Sequence, residues 1–63
     1  MRGGLMGQRC ATQLNGATVT VVVIAIEQRL GPKRGKWVCR NEATGHRLWR
    51  TTRQLSPIAT DDA

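Results

Sequence analysis

The chain contains no phenylalanine and no tyrosine, and Trp37 and Trp49 are its only large aromatics. Aromatic side chains bury the most area per residue, so any core here leans on valine, isoleucine and leucine. Acid is scarce as well: four Asp and Glu stand against ten Lys and Arg, a formal net charge of +6. Glu27 and Glu42 are the only acids ahead of the terminal Asp61 and Asp62, and no motif pairs them for general acid–base work. Two cysteines and the single His46 do not supply the four ligands of a structural zinc site. Cys39 lies within reach of His46 across a hairpin, but a cysteine at a core-facing position reads as a small hydrophobe. The stretch Gly31-Pro32-Lys33-Arg34-Gly35 lacks the Gly-Lys-Ser/Thr ending and strand–loop–helix setting of a phosphate-binding loop. No enzyme, cofactor or metal is expected. Long apolar runs are missing too. Ala17–Ile26 is too short to cross a bilayer, and Met1-Arg2-Gly3-Gly4 leads into nothing that reads as a secretory signal. A cytoplasmic location with both thiols free, and no membrane partner, is the expectation.

What is present reads as strand. Ala17–Ile26 holds six β-branched aliphatics in ten positions. Val19, Val21 and Val23 share one parity and Val22, Ile24 and Ile26 the other, so either both faces are covered or a bulge shifts the pattern. A bulge near Val21 or Val22 is preferred. Gln8–Gln13 forms a shorter strand before it, joined through the hairpin signal Asn15-Gly16. After it, Arg29–Gly35 is a loop in which Pro32 fixes its own φ while Gly31 and Gly35 permit unusual backbone angles. Lys36–Arg40 and His46–Thr51 flank the turn Asn41–Gly45. Within Arg53–Ile58 a single helical turn precedes a last short strand, with Pro57 at its end or at a sheet edge. The 63 residues suit one domain: a flexible tail over 1–5, an ordered unit over 6–58, and a flexible acidic tail over 59–63. Five short strands in so small a unit predict an all-β meander that rolls into a small barrel and so removes its exposed edges.

The turn at 41–46 gives the most specific expectation. If Asn41 pairs with His46, Arg40 stands opposite Arg47, Cys39 opposite Leu48 and Val38 opposite Trp49. Strand alternation then puts Trp37, Cys39 and Leu48 on a core face and Lys36, Val38, Arg40, Arg47 and Trp49 on the other. Two arginines face to face repel unless an anion lies over them. Trp37 is expected in the core. Trp49 is left open between core, oligomer interface and ligand platform.

Eight of the ten basic residues are arginine, whose planar fork suits phosphate better than an ammonium does. Four basic residues, Arg29, Lys33, Arg34 and Lys36, fall within eight positions around the loop. They read either as a solvated hairpin tip or as phosphate contacts held by a stiffened turn. Arg47, Arg50 and Arg53 make a second group, which is one patch only if the chain turns near Thr52. The expected function is low-specificity binding of DNA or RNA through backbone contacts. Arg29, Lys33, Arg34 and Lys36 act from the loop, Arg40, Arg47 and Arg50 from the sheet, and Trp49 stacks on bases where the target is single-stranded. The alternative is a structural or protein-interaction barrel, a homo-oligomer or the binder of an acidic protein, since association would add burial to a small domain.

The order Met6-Gly-Gln-Arg-Cys-Ala11, Gly16–Val23, Gly35–Arg40, Leu48-Trp-Arg50 and Leu55-Ser-Pro-Ile58 resembles the strand order of SH3-like barrels over about fifty residues. These include KOW, Tudor and chromatin-associated modules. The resemblance implies a five-stranded SH3-like barrel that serves as a platform for RNA, DNA or peptide, gripping through residues 15–18 and 29–36. A Tudor-type cage needs several aromatics, and two tryptophans do not make one. The Met6-Gly-Gln-Arg9 opening is also similar to that of the type II dihydrofolate reductase family, which implies oligomerisation. That family's Val-Gln-Ile-Tyr pore motif has its nearest counterpart in Leu48-Trp-Arg-Thr51, which departs at the polar pore positions, so folate chemistry does not carry over.

Overall fold

The computed structural model describes residues 4–58; of the expected tails over 1–5 and 59–63, residues 1–3 and 59–63 lie outside the described residues. Five strands form one antiparallel sheet: β1 Arg9–Leu14, β2 Ala17–Ile26, β3 Trp37–Asn41, β4 Arg47–Arg50 and β5 Ser56–Pro57. A 3-10 turn over Thr52–Gln54 separates the last two. Among the described residues no helix is long and apolar enough to cross a membrane.

The β1–β2 hairpin closes on two residues, with Leu14 opposite Ala17. Asn15 at φ 51° and Gly16 at φ 83° supply the two left-handed positions that the tightest hairpin turn needs. The β3–β4 register agrees with expectation: Arg40 faces Arg47, Cys39 faces Leu48 and Val38 faces Trp49. Asn41 fixes that register. Its backbone N–H donates to the His46 carbonyl at 2.8 Å. Its side-chain oxygen accepts from the Ala43 N–H at 2.8 Å, an Asx turn that starts the reversal. The bulge is real but lies at Ile24, between Val23 and Ala25, rather than near Val21 or Val22. Backbone bonds on the β1 side end at Val23, whose N–H donates to the Gln8 carbonyl at 2.9 Å and whose carbonyl accepts from the Gly7 N–H at 2.8 Å, so from Ile24 onward β2 can absorb the extra residue.

The expected SH3-like barrel is overturned. The sheet runs β4-β3-β2-β1-β5 and stays open, with β4 and β5 as its two edges. Two features explain why no ladder joins them. β5 is two residues long and one of them is Pro57, which has no N–H to give. The Trp49 carbonyl on β4 already accepts from the Arg50 guanidinium at 3.0 Å.

The core therefore sits on one face and is roofed by the ends of the chain. Cys10, Val21, Val23, Cys39 and Leu55 form the buried cluster, with Leu5, Val19, Trp37 and Leu48 packed against it. Leu55 comes from the segment after the 3-10 turn, and Leu5 from residues assigned to the leading tail by the sequence. Trp37 is anchored by its ring N–H, which donates to the Thr52 hydroxyl at 3.0 Å. Buried Thr12 donates its hydroxyl to the Gln54 carbonyl at 2.8 Å, tying β1 to the same turn. Among the described residues no buried side-chain polar atom lacks a partner, as a core this small requires.

Candidate nucleic-acid interface

The opposite face of the sheet carries the charge. In the cross-strand register Arg9 pairs with Val22, Val22 with Arg40, and Arg40 with Arg47. Three arginines thus lie in one row across four strands, at the strand spacing of about 4.8 Å per step. Arg9 is neutralised: its Nε and Nη2 meet the two Glu42 carboxylate oxygens at 2.8 and 3.1 Å. This two-pronged pair holds the Glu42 carboxyl below the usual carboxylate range. Arg40 and Arg47 are exposed and have no carboxylate within ion-pair distance among the described residues.

The basic loop is a built double turn. The Arg34 N–H donates to the Gly31 carbonyl at 3.1 Å, and the Lys36 N–H to the Lys33 carbonyl at 3.0 Å. Pro32 fills the second position of the first turn, where its fixed φ fits. Gly35, at φ 87°, fills the third position of the second turn, which only glycine takes without strain. Glu27 and Lys36 close the base of the loop, with the Glu27 N–H donating to the Lys36 carbonyl at 2.9 Å.

Glu27 also ties this loop to β4. Its carboxylate accepts from the Trp49 ring N–H at 2.9 Å, from the Arg29 Nε at 3.0 Å and from the Arg29 backbone N–H at 3.1 Å. The Glu27 side chain is only 10% exposed whereas that of Arg29 is 84% exposed. The hydrogen bond from the Arg29 side chain, then those from Trp49 and the Arg29 backbone, hold the Glu27 carboxyl down to about 2. Above the ring, the Lys33 Nζ sits 4.0 Å from the Trp49 centroid, a cation–π contact. Trp49 is half-buried and lies outside the core cluster.

The expected site residues separate into groups. Arg29, Lys33 and Trp49 gather around Glu27. Arg34 stands exposed on the turn, and Lys36 is half-buried at its base. Arg40 and Arg47 share the row on the sheet. Arg50 is turned elsewhere, its guanidinium donating to the Trp49 carbonyl and to the Gln13 carbonyl at 3.1 Å. It lines a cleft with Arg53, Gln13 and Gln54, while Arg47 lines a different one with Ile24, Val38 and Trp49. Arg47, Arg50 and Arg53 thus do not make one patch.

Two contributors escaped the sequence reading. Arg9 joins the row only through strand pairing. Glu27 had a local signal, an acid two residues before Arg29 at the mouth of a basic loop, but its bond to Trp49 spans 22 positions.

Cys39 and His46 form no nucleophilic pair. Cys39 is fully buried, and burial raises its thiol pKa above the ordinary value. His46 is exposed on the turn. Among the described residues no cluster of three or more His, Cys, Asp or Glu could hold a metal ion. Searches against protein-family models, curated proteins and solved structures found no match to this chain.

Proposed function

We infer that the chain is a low-specificity nucleic-acid-binding module of the cytoplasm, contacting the phosphate backbone through the arginine row and the basic double turn. One observation carries this. The described residues include nine basic side chains and two acids, and each acid is spent on one arginine, Glu42 on Arg9 and Glu27 on Arg29. Lys33, Arg34, Lys36, Arg40, Arg47, Arg50 and Arg53 are left without a carboxylate within ion-pair distance among the described residues. Arg40 and Arg47 stand directly opposite each other, an arrangement that costs stability in the free protein and is relieved by an anion above it. Backbone contacts of this kind supply affinity and position without reading a base sequence. Two free thiols buried in the core suit a reducing compartment. No reaction is assigned to the module.

The test is fluorescence anisotropy with labelled DNA and RNA across a salt series, using wild type and the double variant R40A/R47A. Wild-type affinity should fall linearly with salt on logarithmic axes. The double variant should bind more weakly, with a slope smaller by about 1–2 for two lost phosphate contacts. Absence of wild-type binding at low salt would sink the idea.

A second reading, a module that associates with itself or with an acidic protein, draws on the exposed Ile24, Ile26 and Leu30. A concentration-dependent mass in sedimentation would favour self-association, and a constant monomer mass would count against it.

A further inference from the structure

Trp49 lines a cleft of about 440 Å³ together with Glu27, Arg29, Leu30, Pro32 and Lys33. Its wall is the indole, its apolar rim is Leu30 and Pro32, and its charged rim is Arg29 and Lys33. Leu30 is 84% exposed, an apolar side chain standing in water beside an aromatic ring. The ring itself is held in place, since its N–H is bonded to a carboxylate that Arg29 in turn grips from side chain and backbone. Among the described residues that carboxylate is the one negative group lining the cleft, and its charge is already answered. One face of the ring carries the Lys33 ammonium, 4.0 Å from its centroid, and Trp49 as a whole is half-buried. Arg47 lies two residues before Trp49 on the same strand and the same face of the sheet.

We propose that this cleft is a seat for one nucleobase of a single-stranded nucleic acid, which stacks on Trp49 in the place Lys33 occupies. The displaced ammonium then meets the phosphate attached to that base. The proposal rests on the phosphate-binding reading above and adds the strand state and the base-binding residue. Charge complementarity selects the occupant. A planar group with an attached anion satisfies the indole, Leu30, Lys33 and Arg29 together, which a neutral ring or a bare phosphate does not. A duplex keeps its base faces stacked on one another and offers none to the indole. Stacking on an aromatic tolerates any base, so the seat adds affinity without sequence preference.

The experiment compares, on the wild-type chain at fixed low salt, four labelled probes of equal length. These are oligothymidylate, oligouridylate, an abasic strand with the same phosphates, and a duplex. The expected result is that a base-bearing strand binds about 5- to 150-fold tighter than the abasic one and tighter than the duplex. Its binding also changes tryptophan emission where the abasic strand leaves it unchanged. Tighter binding of either base-bearing strand supports the seat. In W49L the advantage over the abasic strand should vanish, and W49F, which keeps a ring face, should retain part of it. An abasic strand or a duplex that binds as tightly as the base-bearing strands overturns the seat while leaving the phosphate reading intact. So does a folded W49L that keeps the full advantage. If no probe binds, both fall. The wild-type comparison decides even where W49L fails to fold.

Discussion

The two faces of this one sheet are built on opposite terms. On the core face, Cys10, Val21, Val23 and Cys39 are fully buried and Leu55 nearly so. The four on the strands are small or medium-sized, apolar and closed over by Leu5 and Leu55 from the two ends of the described chain. On the other face, Arg40 and Arg47 are exposed opposite each other, and Ile24 remains 42% exposed between the strands that carry them and β1. The first face obeys burial: each side chain gains by leaving water. The second keeps like charges adjacent and apolar groups wet, which costs stability; on the proposed function a bound phosphate offsets that cost. On the proposed function, the contrast separates folding from binding in a chain with little material for either.

The largest effect should come from breaking the core face. Leu55 is 5% exposed and roofs the cluster from the C-terminal side. Leu55→Ala should cost about 2–5 kcal/mol. A domain of this length is worth roughly 3–9 kcal/mol in all, so the variant should lose a large share of its stability. Urea denaturation followed by circular dichroism measures this, and a midpoint near that of wild type would show that the roof is dispensable.

A smaller effect of opposite sign should come from the other face. Replacing Arg40 with glutamate converts the repulsive pair with Arg47 into an attractive one across the ladder. Stability should rise by about 0.2–1 kcal/mol at low salt, with the gain shrinking as salt screens it. Nucleic-acid affinity should fall in the same variant. A substitution that stabilises the fold while weakening binding would sharpen the contrast between the faces, and a loss of both would erase it.

The smallest and most local change is expected on acidification. The Glu27 carboxyl is held at about 2, below its ordinary 4.5, so it binds protons less readily folded than unfolded. Its contribution to stability is therefore present above about 4.5 and is lost as pH falls towards about 2. Glu42, lowered by Arg9, adds to the same trend. Protonation of Glu27 weakens its grip on Trp49 and Arg29, so tryptophan emission should change in that window. Emission that stays flat from pH 5 to 2 in the folded protein would show that Glu27 does not hold the ring.

Much of the strand content was legible because it depends on neighbours in the chain. Asn15-Gly16 specifies a two-residue turn by backbone sterics alone. Asn41 and Gly45 specify the next reversal, and with it the facing of Arg40 and Arg47 and the separation of Trp37 from Trp49. The bulge was detectable as a change of parity, but its position depended on where β1 stops supporting β2, which no pattern within β2 reveals. Barrel closure failed for a related reason. Five short strands say nothing of whether the outer two meet, and here a two-residue β5 ending in Pro57 cannot offer the edge that closure needs. In the candidate site, charge and loop chemistry could be read directly. Arg9 in the row, Glu27 under the ring and Lys33 over it could not.

By itself the sequence determined an all-β chain with a strong positive charge, two defined hairpins and a basic turn stiffened by Pro32 and Gly35. These follow from side-chain branching, alternation and backbone sterics, which act over a few residues. Only the tertiary structure decided that the sheet stays open, that its core lies on one face, and that the Arg50 guanidinium folds onto the Trp49 and Gln13 carbonyls. It alone brought Glu27, Lys33 and Trp49 into contact. Those outcomes depend on which distant segments pack together, and that is settled by the burial of Leu5, Trp37 and Leu55 against the sheet.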